Sequence, residues 1–135
     1  MHGNPRVIPV IPVSDLEKSI EFYEGVLGLP VDERNESLPD NPEARFNVGG
    51  AQLAIYRSVG AGQSRHTMAF FEVDNIETAV DDLRSRGLTF EEYDMPNLKT
   101  ENGIADLGHE KAAWFKDPDG NILAVAEPTR TPAAV

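Results

Sequence analysis

Few side chains in this sequence could do chemistry. It holds three histidines, His2, His66 and His109, and no cysteine. The missing thiols exclude disulfide scaffolding, a thiolate nucleophile and Cys-ligated zinc, leaving imidazoles and carboxylates as the only strong metal ligands. The histidines are widely separated, so no ligand triad is written into local spacing. His2 stands in a disordered-looking terminus and His109 in the loop segment GHEK. There is no HExxH, no Gly-rich phosphate loop and no serine on a nucleophile elbow. Glu91 and Glu92 are adjacent, and neighbours on a strand point to opposite faces, so they do not form an acid/base pair.

Composition narrows the field further. The 135 residues suit a single domain spanning 1–135, with 40% hydrophobic and 26% charged residues, the profile of an ordinary soluble globule. The net charge of −11 comes from 23 acidic against 12 basic residues, and the basic ones are scattered. Nucleic acid, which needs a concentrated positive surface, is not an expected partner. The acidity is read as solubility. No apolar run approaches the roughly 20 residues of a membrane-spanning helix, no signal peptide is visible at the start, and a cytoplasmic location is expected.

The elements that would position any site come as an internal repeat. The segment VSDLEKSIEFYEGVLGLPV from Val13 lies over VDNIETAVDDLRSRGLTF from Val73. Each copy predicts a helix. Ser14 with Glu17, and Asp74 with Glu77, fit an N-cap followed by a carboxylate at the third position. Leu16, Ile20, Tyr23 and Leu27 share one face, as do Ile76, Val80 and Leu83, and Gly28 and Gly87 supply the exits. Strands are expected at VIPVIPV from Val7, near Val31, and at ARFNV from Ala44 and AQLAIYR from Ala51. In the second half they are expected at TMAFFEV from Thr67, TFEEYD from Thr89, AAWFK from Ala112 and NILAVAE from Asn121. Asp117-Pro118-Asp119-Gly120 predicts a hairpin turn, matched by Gly49-Gly50 in the first half. This gives a βαβββ unit twice: module one at about 6–57, a Gly/Ser-rich linker at about 58–65, and module two at about 66–127. The acidic stretch DERNESLPDNPE from Asp32 reads as solvated surface.

Paired βαβββ units, each with an aspartate at its helix start, and a late DPDGN hairpin resemble the vicinal-oxygen-chelate superfamily of glyoxalases, bleomycin-resistance proteins and dioxygenases. The resemblance covers about Val7 to Glu127. It implies an α+β fold in which the modules form a curved, mostly antiparallel sheet round a cavity, and a homodimer. In metal-dependent members four inward residues hold a cation, one on the first and one on the last strand of each module. Carried over by counting from the helix aspartates and hairpin glycines, those positions fall on Ile8, Ala54, Met68 and Ala124. None is a good ligand for a hard divalent ion, and the resemblance therefore points to a member with no metal and no other cofactor. Strand alternation guards each position against a one-residue slip.

Small or apolar residues at those four positions suit an apolar or aromatic ligand in an inter-module or inter-subunit cavity. The expected contacts are Ile8, Ala54, Tyr56, His66, Met68, Phe70, Trp114, Ile122 and Ala124, with Ala126 and Tyr93 beside them. The segment MPNLKTENGIADLGHE from Met95 shows no periodicity and is expected to be a lid or binding loop, offering Lys99, Thr100, Glu101 and His109. The leading expectation is thus a metal-free small-molecule-binding protein. The rivals are a metal-dependent lyase, isomerase or dioxygenase with a displaced site built on His66 and loop carboxylates, and a metal-free isomerase or epimerase using Glu72, Glu101 or His109 as base.

Overall fold

A computed structural model describes residues 2–36 and 42–129. The chain divides into two compact units, Met1–Ser64 with Asp117–Asn121, and Arg65–Lys116 with Ile122–Val135. Part of the acidic stretch from Asp32 lies outside the described residues.

In the first unit β1 (Val10–Val13) leads to α1 (Leu16–Ile20), continued by a π-helical segment (Glu21–Val26), and then β2 (Val31–Asn35), β3 (Glu43–Val48) and β4 (Ala51–Arg57). The strand order is β1-β4-β3-β2. β1 runs parallel to β4, while β3 pairs antiparallel with β2 and β4. The second unit repeats this plan. β5 (Thr67–Glu72) and α2 (Ile76–Ser85) are followed by β8 (Ala105–Asp106), β9 (Glu110–Lys116) and β10 (Ile122–Pro128), in the order β5-β10-β9-β8. A two-stranded ribbon of β6 (Asp94–Met95) and β7 (Leu98–Lys99) lies between. The architecture is the expected mixed α+β pair of βαβββ modules, formed as two four-stranded sheets.

Each helix covers one side of its sheet, α1 against β3 and β4, α2 against β9 and β10. Alternation sends Ile11, Val13, Ala44, Phe46, Leu53 and Ile55 to the covered side of the first sheet, all fully or nearly buried. Leu123, Val125, Ala113 and Phe115 do the same in the second, beneath the buried Ile76, Val80 and Leu83 of α2. Burying the larger of these, the Val, Leu, Ile and Phe side chains, stabilises by about 1.5–3 kcal/mol each.

Several local expectations are corrected. The helix caps are Asp15, whose carboxylate accepts from Lys18 N, and Asn75, whose side chain accepts from Thr78 N, one residue beyond Ser14 and Asp74 in each case. The chain stays extended for one more residue, and either shifted side chain can serve as a cap. Glu127 of β10 also reaches Ile76 N at 2.9 Å, satisfying a helix-start donor from a distant strand. Thr89–Asp94 does not form the predicted strand. Only a bridge from Phe90 to Phe115 remains, and the edge of β9 is continued by Ala105 and Asp106. The predicted irregular loop thus supplies the sheet's fourth strand.

The second hairpin is more than a turn. Asp117 and Asn121 are 5% and 0% exposed. Asp117 accepts from Tyr23 Oη (2.8 Å), Asn121 Nδ2 (2.9 Å), Asn121 N (2.9 Å) and Asp119 N (2.9 Å). Asn121 Nδ2 also donates to Pro12 O (2.8 Å), and Asp119 accepts from Ser14 N (3.0 Å). The hairpin thereby completes the first unit. Burial, and then the Asp117 carboxylate, hold the Tyr23 phenol far above the ordinary tyrosine range, so it remains a neutral donor. The Gly/Ser-rich linker is tied in as well: Gly62 N donates to Asn121 Oδ1 at 3.2 Å. A Cβ on Gly62, which has φ +74°, would fall 2.1 Å from Asp119 O, so only glycine fits.

Candidate functional site

Among the described residues each unit's helix packs on one side of its sheet, and most of the predicted contacts lie on the other. In the first unit Ala54 of β4 stands between Val10 on β1 and Arg45 on β3, with Tyr56 two residues along. Ile8 is half-buried just ahead of β1, where Pro9 O accepts from Ala54 N at 3.0 Å. Ala54 is buried, whereas Val10 is 54% exposed. The sequence reading missed the polar side chains that share this side. Arg45 Nε donates to Glu43 Oε1 at 3.0 Å and lies 3.9 Å from Glu33, and its Nη1 donates to Gln52 at 3.4 Å. Gln52 in turn donates to Asp32 at 3.2 Å. Arg45 could have been found by counting the ladder outward from the Gly49-Gly50 hairpin, which sets Val48 against Ala51 and hence Arg45 against Ala54.

In the second unit the matching trio is Phe70 on β5, Ala124 on β10 and Trp114 on β9. Ala126 and Ala112 form the next pair along the same side. Ile122 pairs with Thr67, yet Leu123 pairs with Ala69, so Met68 has no partner on β10 and forms a bulge. Alternation is broken at a position where it was expected to guard the count. One effect is to bring Thr67 to the Ile122 side, where its Oγ1 accepts from Trp114 Nε1 at 3.2 Å. Trp114 also meets Tyr93 edge to face, with centroids 5.7 Å apart. Partial burial, followed by the nearby Glu91 carboxylate, raises the Tyr93 phenol above its ordinary value, so Tyr93 stays neutral.

Other expected contacts lie away from these two trios. His66 is exposed just before β5. Lys99 lies 3.7 Å from Asp94 within the β6–β7 ribbon, and Thr100 uses its hydroxyl on the Tyr93 backbone. Glu101 bridges to Ile104, and exposed His109 sits 3.8 Å from Glu110. The predicted lid is fastened to α2, since Arg84 donates to Asn102 Oδ1 (3.1 Å) and O (2.9 Å) and stands over the Phe90 ring. Gly103 leaves the room for this, because a Cβ there would fall 2.9 Å from Arg84 Nη2. Of its polar side chains, Lys99 and Thr100 brace the ribbon, while Glu101 pairs with Ile104 through its backbone.

A divalent cation does not fit the donor set at the four positions to which the family resemblance pointed. Ile8, Ala54 and Ala124 have no donor side-chain atom, and Met68 offers only a soft thioether, poorly matched to a divalent ion that prefers imidazole and carboxylate. Among the described residues no three His, Asp or Glu side chains group to hold a metal ion.

The model of the Glyoxalase/Bleomycin resistance protein/Dioxygenase superfamily matches residues 7–125, and the chain belongs to that family. Among its relatives is the uncharacterized protein YraH of Bacillus subtilis (strain 168), 30% identical over 129 residues, covering 84% of this chain and 90% of that protein. The lactoylglutathione lyase of Haemophilus influenzae (strain ATCC 51907 / DSM 11121 / KW20 / Rd) is 25% identical over 131 residues, covering 87% and 88%. In fold the chain is similar to TnmS3, an antibiotic binding protein from Streptomyces sp. CB03234, with a TM-score of 0.65 at 20% identity over 95% of this chain and all of that one. Among the described residues no helix is long and apolar enough to cross a membrane.

Proposed function

We propose that the chain is a small-molecule-binding protein that works without the family's metal ion and takes a flat apolar or aromatic ligand on the uncovered side of its second sheet. Phe70, Trp114 and Met68 are the contacts, and Ala124 leaves the room. The observation that carries this reading is the company Ala124 keeps. A position where the family resemblance leads one to expect a metal-binding carboxylate holds a methyl group, flanked by an indole and by a phenyl ring that is 55% exposed. Apolar surface of this kind gains free energy when a ligand removes it from water. The description of TnmS3 as antibiotic binding supports the reading by analogy of fold only. Binding in the cytoplasm as a homodimer completes the proposal.

Trp114 is the chain's one tryptophan, so its emission reports on this surface directly. Titration with a panel of aromatic antibiotics and metabolites should shift or quench that emission and raise the Tm, with about 2.7 kcal/mol of added stability at a hundredfold excess over Kd. The response should be the same with EDTA or with added Ni or Zn. A stoichiometric transition metal whose removal abolishes the ligand response would overturn the proposal, and so would silence across the panel.

A further inference from the structure

Trp114 and Thr67 sit on strands that do not touch. β10 lies between β9 and β5, yet the Trp114 indole donates to the Thr67 hydroxyl at 3.2 Å. Adjacent strands are about 4.8 Å apart, so the side chain spans roughly twice that distance across the face of β10. The crossing starts level with Ala124, the direct partner of Trp114, and ends level with Ile122, the partner of Thr67, and the small side chain of Ala124 leaves space for the indole at its start. Ala124 is 3% exposed, in line with Ala112 and Ala126 beside it at 2% and 1%, while Phe70, its partner on the other flank, is 55% exposed. The far end of the bridge depends on the Met68 bulge that turns Thr67 to this side.

We infer that Trp114 is a gate over the ligand-binding side of the second sheet, and that Thr67 is its latch: an aromatic ligand reaches Ala124 only when the Trp114–Thr67 hydrogen bond opens and the indole swings aside. This rests on the binding role proposed above and adds which residues set what the site admits. The latch suits a gate. It is one neutral hydrogen bond in an exposed setting, backed by an edge contact with Tyr93, so opening exchanges it for bonds to water at little cost. Once the indole moves, its N–H and the Thr67 hydroxyl are both free to meet a polar group on the ligand's rim.

The test uses N-phenyl-1-naphthylamine, a neutral aromatic probe whose own fluorescence rises in apolar surroundings. Thr67→Val keeps the branched shape that suits a strand and removes the acceptor, and Thr67→Ser restores a hydroxyl. Trp114→Phe removes the donor and keeps a ring, which tests the same bond from its other end should either Thr67 variant fold poorly. Acrylamide quenching of Trp114 should increase in Thr67→Val and return towards wild type in Thr67→Ser. Probe affinity should rise about two- to tenfold in Thr67→Val and in Trp114→Phe, the range of one neutral hydrogen bond, with no further gain in the double variant. Wild-type affinity in all folded variants, with the probe bound, overturns the gate and leaves the binding role standing. Absence of probe binding by wild type and every variant removes both.

Discussion

The uncovered sides of the two sheets occupy equivalent places in a duplicated fold and carry opposite chemistry. Val10, Ala54 and Arg45 line up across the first sheet as Phe70, Ala124 and Trp114 do across the second. Both trios are centred on an alanine. Beside the first stands a guanidinium tied to Glu43 and Gln52, and beside the second an indole tied to Thr67. The covered sides are alike because each must bury a helix, and duplication preserves whatever the core requires. The uncovered sides have no such constraint. The hairpins differ in the same way: Gly49-Gly50 is exposed, with Asn47 Oδ1 accepting from Gly50 N, while Asp117 and Asn121 are buried in the first unit's polar cluster.

The sharpest break in the pairing should come at the hairpins. Asp117→Ala strips the acceptor from four donors and should cost roughly 3–5 kcal/mol, whereas Asn47→Ala should cost about 0.5 kcal/mol or less. Urea denaturation of both variants measures the gap, and equal losses would mean that the second hairpin is only a turn. Next in size is the pair of alanines. Ala124→Glu puts a carboxylate beneath the indole, between Phe70 and Trp114, where the nearest cation on the partner strands, Lys116, is already paired with Glu91, and should destabilise by roughly 2–4 kcal/mol. Ala54→Glu puts it opposite Arg45 and should cost about 1 kcal/mol, since a guanidinium partly offsets desolvation. If thermal unfolding ranks them the other way, the contrast between the two sides fails.

The third contrast concerns Tyr23. Tyr23→Phe should cost about 1–2 kcal/mol at neutral pH by removing one donor from Asp117. Because the folded phenol titrates far above the unfolded value near 10, wild-type stability falls as the unfolded chain ionises, by up to about 1.4 kcal/mol per pH unit above that value. The variant lacks this loss, so the gap between the two should narrow above pH 10. A gap that stays constant in alkaline chemical denaturation would place Tyr23 outside the buried cluster.

The repeat, both helices and seven of the strands are legible in the sequence because each carries its own periodicity or turn chemistry. β8 is not, since two residues flanked by turns carry no period, and Phe90 looks like a strand residue because its ring is buried against Phe115. The Met68 bulge is invisible because an extra residue leaves composition and hydrophobicity unchanged. Trp114 and Arg45 could have been set opposite the two alanines by counting from the hairpins. What counting cannot give is the bond from Trp114 to Thr67, which depends on that bulge. Nor can it give the role of Asp117, whose local pattern is that of any DPDG turn.

That hairpin also bears on how the chain is made. The first unit's buried phenol finds its acceptor 94 residues later, and the Pro12 carbonyl meets Asn121 across 109. A nascent chain leaving the ribosome carries β1 to β4 and α1 long before residues 117–121 emerge. During that interval the first half has a vacant polar socket and cannot reach its final stability alone. Vectorial synthesis therefore does not finish this protein one half at a time: the earlier half waits for the later one, and the delay favours any chaperone that recognises an incomplete sheet.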